Sequence, residues 1–228
     1  DNFTAISKAT KQALIDFEYI PENKIEVIYN GITPVQADPE KTTELKQKLQ
    51  ISASAHVIGT IARLDPIKNH SMMFNAFKLV LKKLPDTILI LVGDGEERER
   101  LEDLVDTLEI RNNVIFTGYI CEPQHYLDCM DIFLLPSLSE GTSMTLLEAM
   151  SLSKPCVVTD AGGNPEIIQH QVNGLVTENN HTTKFAEAIN HLLANSSSLD
   201  EMANNAQNKF NDLYTAENMC QNFKAIYM

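Results

Sequence analysis

From His56 onward, short runs of aliphatic and β-branched residues alternate with longer stretches in which apolar side chains recur every three or four positions. The runs read as strands over residues 56–62, 87–92, 113–117, 131–135 and 155–159, with a weaker one at 174–177. The intervening periodicity predicts helices at 70–84, 98–108, 123–129, 143–152, 165–169 and 182–193. Strand and helix in regular alternation imply a parallel sheet covered on both faces, so a doubly wound α/β domain is expected. Ahead of it, residues 25–29 read as one more strand, and Asn30-Gly31 as a turn into the polar, proline-containing stretch 34–46, which reads as a hinge. Two terminal helices are expected at 199–211 and 216–227. In the second, Met219, Phe223 and Ile226 recur at helical spacing.

Composition narrows the class. A chain of 228 residues with 43% hydrophobic content is ordinary for a globular α/β core. No apolar run approaches the roughly 18 residues of a membrane helix, and the N-terminus has no signal-peptide pattern. The chain begins without Met, at Asp1 in what reads as the end of a strand, so a fragment lacking an N-terminal part is expected. The net charge of −13 opposes binding to nucleic acid or anionic lipid, so any phosphate must be held by a local site. Cys121, Cys129, Cys156 and Cys220 form no CxxC pair and are expected as reduced thiols of a cytosolic protein. The six histidines show no ligand spacing, and no metal is expected.

Open α/β sheets gather ligands at the carboxyl ends of their strands, so the loops after each strand carry the candidate chemistry. After residue 62 come Arg63 and Lys68, two cations in a turn punctuated by Pro66. They suit one diphosphate or, equally, a solvated surface. After Val92, Gly93-Asp94-Gly95 is a tight turn. It lacks the third glycine of a dinucleotide fingerprint, because Arg98 stands there. After Leu135, the loop 136–143 carries Glu140, Gly141, Thr142 and Ser143 into a helix that holds Glu148. Its free N–H groups and dipole suit a phosphate. At ~1.5 Å rise per helical residue, the two carboxylates are expected on the order of 10 Å apart, a span fitting a sugar at one end and a ribose at the other. Taken alone, Glu140 reads more readily as a helix-dipole partner and Glu148 as a solvated helix residue. After residue 159, Gly162-Gly163 reads as a turn, with Asn164 as helix N-cap and Pro165 in the first helical position.

In this order, the pieces resemble the C-terminal donor domain of the retaining family-4 glycosyltransferases, whose GT-B fold pairs two Rossmann-like halves. Val27-Ile28-Tyr29-Asn30-Gly31-Ile32 resembles the family's strand and turn before the interdomain linker. Ala62-Arg63-Leu64 with Lys68 resembles its phosphate clamp, Leu91 to Gly95 its Val-Gly-x-Gly turn, and Phe116 to Tyr119 its strand before the base pocket. Glu140 through Glu148 is similar to its EX₇E motif, and 155–159 with 162–166 to the segment that follows. Two departures stand out: Ala62 replaces the usual glycine, and Thr142-Ser143 stands where many members have Phe-Gly.

The resemblance implies a retaining hexosyltransferase acting from a UDP- or GDP-sugar onto a glycan or lipid-linked acceptor, in cell-surface or capsular polysaccharide synthesis. It implies a cytoplasmic enzyme, peripheral at most to the inner face of the membrane. Arg63 and Lys68 would neutralise the diphosphate, Glu140 would hold the sugar and Glu148 the ribose. Gly93, Gly118, Tyr119 and Ile120 would lie near the nucleotide, and Gly141, Thr142 and Ser143 would offer N–H groups. No metal or cofactor is implied. Residues 1–34 would close an acceptor-side domain that is otherwise missing, 35–212 would form the donor domain, and 213–228 would cross back. The alternatives are a nucleotide-sugar 2-epimerase of similar fold, which needs acid/base groups scarce here, and a non-catalytic nucleotide-sugar-binding module. An NAD-dependent oxidoreductase fails on the fingerprint.

Overall fold

The structure, a computed structural model, describes residues 2–227. Asp1 and Met228, the ends of the first and last expected segments, lie outside the described residues. The chain runs β1 (Phe3–Ala5), α1 (Lys8–Glu18), β2 (Ile25–Val27), α2 (Pro39–Lys48), β3 (His56–Ile61), α3 (His70–Leu81), β4 (Thr87–Val92), α4 (Arg98–Thr107), β5 (Val114–Gly118) and α5 (Gln124–Cys129). It continues β6 (Ile132–Leu135), α6 (Met144–Ser151), β7 (Cys156–Thr159), α7 (Asn164–Ile167), β8 (Gly174–Thr177), α8 (Thr182–Leu193), α9 (Ser196–Leu213) and α10 (Ala216–Tyr227).

Six strands form one parallel sheet in the order β5-β4-β3-β6-β7-β8. The chain moves outward from β3 in one direction, then returns to β3's other side and moves outward again. The loops after β3 and β6 therefore leave side by side at the switch point, where such sheets open a crevice. Alternation along each strand feeds two cores. Leu89 and Leu91 of β4, with Ile132 and Leu134 of β6, pack beneath α3, α4 and α8 through Phe74, Phe77, Leu101 and Phe185. Ile90, Val92, Phe133 and Leu135 face the opposite layer, which holds Leu127, Leu146, Leu147 and Phe210.

The strand predictions hold to within a residue or two at their ends, and three other expectations need correction. The stretch 34–46 is only partly a linker, because α2 begins at Pro39 with Asp38 as N-cap, its carboxylate accepting the Glu40 N–H at 2.9 Å. Leu45 and Leu49, one turn apart, pack on the core, and the Thr42 hydroxyl donates to Asp128 at 2.8 Å. Asn164 is not an N-cap. Gly163 takes that place, while the buried Asn164 amide turns inward and donates to the Thr159 carbonyl at 3.2 Å. Helix α9 starts at Ser196, three residues ahead of the expected 199, across a serine run whose propensity argues against helix.

The strand expected at 25–29 ends at Val27 and lies outside the main sheet, pairing in parallel with β1. Gly31 then meets the start of α10: Ile32 N–H donates to Tyr214 O at 3.0 Å and Ala216 N–H to Ile32 O at 2.9 Å. A Cβ on Gly31 would fall 2.2 Å from the Thr215 carbonyl oxygen, so this crossing of two backbone segments requires glycine.

Candidate functional site

At the switch point, the chain after β3 makes a short 3₁₀ turn over Pro66–Lys68. Asp65 builds it. Its carboxylate accepts the Lys68 N–H at 3.1 Å and the Arg63 Nε–H at 2.7 Å. Burial works against the Asp65 charge, but the Arg63 hydrogen bond, the Lys68 N–H and the two positive charges outweigh it and hold the carboxyl below its ordinary range. Arg63 is otherwise largely exposed, its side chain 74% accessible, and among the described residues Asp65 takes only its Nε. The terminal nitrogens of the guanidinium are left available to an anion.

Lys68 points across the switch point. Its Nζ reaches Glu140 Oε1 at 2.6 Å, and the Ser137 hydroxyl donates to the same oxygen at 2.6 Å. The Glu140 side chain is only 8% exposed, so this pairing satisfies a carboxylate that water hardly reaches. The two loops are also stitched by Leu138 N–H to Ile67 O at 2.8 Å. Behind Glu140, Gly163 N–H donates to the Glu140 carbonyl at 3.0 Å, tying the loop after β7 to the loop after β6. Helix α6 follows, with Ser143 as N-cap accepting the Leu146 N–H at 3.3 Å.

Glu148 sits in the second turn of α6. It is half-buried rather than solvated, and burial pushes its carboxyl up from the ordinary value. Among the described residues its carboxylate has no hydrogen-bond partner, unlike Glu140. On the other side, Gly93, at φ 141°, lies against Ala62, where a Cβ would fall 1.9 Å from the Ala62 oxygen. Its N–H donates to Gly118 O at 3.0 Å. Tyr119 and Ile120 follow β5, two strands from the switch point, with Tyr119 78% exposed. The structure therefore gathers Arg63, Lys68, Glu140, Gly141, Thr142 and Ser143 at one crevice. It sets Gly93 and Gly118 beside it, while Tyr119, Ile120 and Glu148 make no side-chain hydrogen bond to the rest among the described residues. A concavity of about 1010 Å³ lies instead between β1, β2 and α10, and no expected donor residue lines it.

Three residues absent from the sequence-based site act on it. Asp65 could have been found as an Asp-Pro turn cap, whereas Ser137 left no local signal. His70, at the start of α3, is 2% exposed, and its Nε2 lies 3.2 Å from the Arg63 carbonyl. Burial pushes its imidazole down to about 4, so it is neutral and donates from Nε2 to that carbonyl. Between pH 6.5 and 4 the unfolded chain takes up a proton here that the folded chain does not, so folding stability rises with pH across that window. The expected loss on acidifying from pH 7 to 4 is about 3 kcal/mol from this group. Urea unfolding across that range should show a shallower slope in His70→Gln; an identical slope would remove His70 as the cause.

Fold and crevice define a Rossmann-like half of a GT-B architecture. The chain belongs to the family described as Glycosyl transferases group 1, whose pattern matches residues 41–209. It is 30% identical over 207 residues to the N-acetyl-alpha-D-glucosaminyl L-malate synthase of Bacillus anthracis, covering 91% of this chain and 54% of that protein. It is 28% identical over 223 residues to the UDP-Gal:alpha-D-GlcNAc-diphosphoundecaprenol alpha-1,3-galactosyltransferase of Escherichia coli, covering 96% and 57%. The structure superposes on Anabaena HepE in complex with UDP with a TM-score of 0.92 at 26% identity, covering 98% of this chain and 62% of that one. The chain thus spans little more than half the length of the relatives it matches. Among the described residues no helix is long and apolar enough to cross a membrane.

Proposed function

We propose that this chain is the donor-binding half of a retaining hexosyltransferase that uses a UDP- or GDP-sugar and delivers the sugar to a glycan or lipid-linked acceptor in cell-surface polysaccharide synthesis. The observation that carries the reading is the Lys68–Glu140 pair at the switch point, beside the start of α6, with the Arg63 guanidinium presented by Asp65 on the same loop. Family membership and the likeness to a UDP-bound structure support a nucleotide sugar over other anions.

Breaking a sugar–phosphate bond leaves negative charge on the departing diphosphate, and prearranged donors lower that barrier most. Arg63, Lys68 and the α6 N-terminus supply such donors without a metal. Glu140, released from Lys68 by the incoming phosphate, accepts sugar hydroxyls. Glu148, partly desolvated and unpaired, accepts the ribose hydroxyls. The acceptor site belongs to the N-terminal half, so on this reading the chain alone binds donor and transfers nothing. The reaction takes place in the cytoplasm, with at most peripheral attachment to the membrane.

Calorimetry with UDP, GDP and ADP, then with their sugars, tests the assignment. One uridine or guanosine diphosphate should bind, and Glu148→Ala should weaken it about tenfold, the loss of a charge-assisted hydrogen-bond pair. Absence of binding by all three, or unchanged affinity in Glu148→Ala, would reject the donor site. Exchange of solvent deuterium into the sugar ring without transfer would instead mark a 2-epimerase, and binding without turnover even beside the N-terminal half would mark a binding module.

A further inference from the structure

Helix α1 begins against a residue more than 150 positions away. An isolated helix start leaves its first N–H groups without partners. Here Lys8 N–H donates to Glu166 Oε2 at 2.8 Å and Ala9 N–H to Glu166 Oε1 at 2.9 Å, while Ser7 caps Thr10 N–H at 3.0 Å. The Tyr29 hydroxyl donates to Glu166 Oε2 at 3.0 Å, so among the described residues both carboxylate oxygens serve the N-terminal segment alone. Glu166's own backbone is fixed from the other side: its carbonyl accepts from Lys209 Nζ at 2.9 Å and from the Tyr214 hydroxyl at 3.3 Å.

The same segment touches the loop before α6. The Thr142 hydroxyl donates to the Ile6 carbonyl at 2.9 Å, and a Cβ on Gly141 would fall 3.0 Å from Ile6 Cδ1. Ser7 Cβ lies 3.3 Å from where a Gly163 Cβ would stand. Residues 6–9 are therefore seated on two loops of the crevice edge at once.

We propose that the Glu166 carboxylate is a latch that seats the N-terminal segment on the crevice edge, and that closing this latch is coupled to occupancy of the site at the start of α6. Both oxygens of Glu166 are taken up by Lys8, Ala9 and Tyr29, so it is a positioning residue that acts through Ile6 and Thr142. The first half stands on the hydrogen bonds, and the second rests on the donor-site reading above. Coupling is reciprocal: a ligand that favours the seated segment is itself bound more tightly when the segment is seated. Gln in place of Glu166 keeps the size, removes the charge and turns an amide donor toward one of the two N–H groups, so it unlatches without opening a cavity.

Amide exchange at Lys8 and Ala9 reads the latch, with β4 amides reporting global folding. Without nucleotide, Glu166→Gln should speed exchange at both sites at least tenfold and leave β4 unchanged; equal exchange at Lys8 and Ala9 overturns the latch. With UDP or GDP as probe, exchange over residues 6–9 should slow in the wild type, and Glu166→Gln should bind the nucleotide several-fold more weakly. Wild-type binding with no change over 6–9 and equal affinity in Glu166→Gln overturns the coupling. If neither nucleotide binds the wild type, the donor reading and the coupling fall together, while the nucleotide-free comparison still decides the latch.

Discussion

Lys68→Met is expected to weaken nucleotide-diphosphate binding by ten- to a hundredfold, and to lower turnover of the complete enzyme by a further 10²–10³, the scale of losing one prearranged donor to a developing anion. The substitution has two consequences. On the proposed reading it removes a cation from the diphosphate, and it strands Glu140, whose side chain is 8% exposed and, among the described residues, keeps only the Ser137 hydroxyl at 2.6 Å. Breaking a buried ion pair from one side costs roughly 3–5 kcal/mol; with the Lys68 side chain 23% exposed, about 3 kcal/mol is expected here. The two consequences separate in a double variant. Adding Glu140→Gln removes the stranded charge and should recover most of the stability, measured by urea unfolding, while calorimetry should show no recovery of nucleotide affinity. If affinity returns with stability, Lys68 serves the fold and not the phosphate.

That pair also marks the limit of what periodicity could reveal. The inner strands were legible because they are buried on both faces, and such strands are nearly unbroken apolar runs, as in Thr87–Val92, whereas the edge strand β5 is mostly half-buried and showed through its β-branched and aromatic residues. The ends of those runs put Arg63, Lys68 and Glu140 in ligand-facing loops, but nothing in the sequence states that the loops after β3 and β6 are neighbours. That follows from strand order, which returns to β3 only at β6. The Lys68–Glu140 contact spans 72 positions and the Glu166 contacts more than 130, distances over which local pattern carries no information. Helix α2 was hidden for a different reason. Its sequence is polar apart from Leu45, and its cap, Asp38 before Pro39, stands inside a proline-containing stretch that reads as linker. Asn164 misled because its side chain suits an N-cap, yet the buried side chain turns inward, where its Nδ2 donates to the strand-end carbonyl of Thr159.

Gly162→Ala is expected to be strongly destabilising, costing about 3–5 kcal/mol. At φ 53° an alanine carries left-handed strain of ~1–2 kcal/mol. Its Cβ would in addition fall 1.8 Å from the Glu140 carbonyl oxygen and 2.9 Å from the carbonyl carbon, contacts with backbone that no rotamer change relieves. For a domain of this size each kcal/mol lowers Tm by ~2–4 °C, so a drop on the order of 10 °C is expected. Gly118→Ala supplies the comparison: its φ is 73°, but the nearest atom to a new Cβ is Asp94 Oδ2 at 4.0 Å, so strain acts there without overlap and about 1–2 kcal/mol is expected. The difference between the two measures how closely the turn after β7 is pressed against Glu140. Because Gly163 N–H also holds the Glu140 carbonyl at 3.0 Å, relief of the overlap must move the peptide that carries the carboxylate. Nucleotide-sugar affinity should therefore fall in Gly162→Ala at temperatures where the variant is still fully folded. A folded Gly162→Ala protein with unchanged affinity would mean that the turn supports the sheet but does not set the position of Glu140.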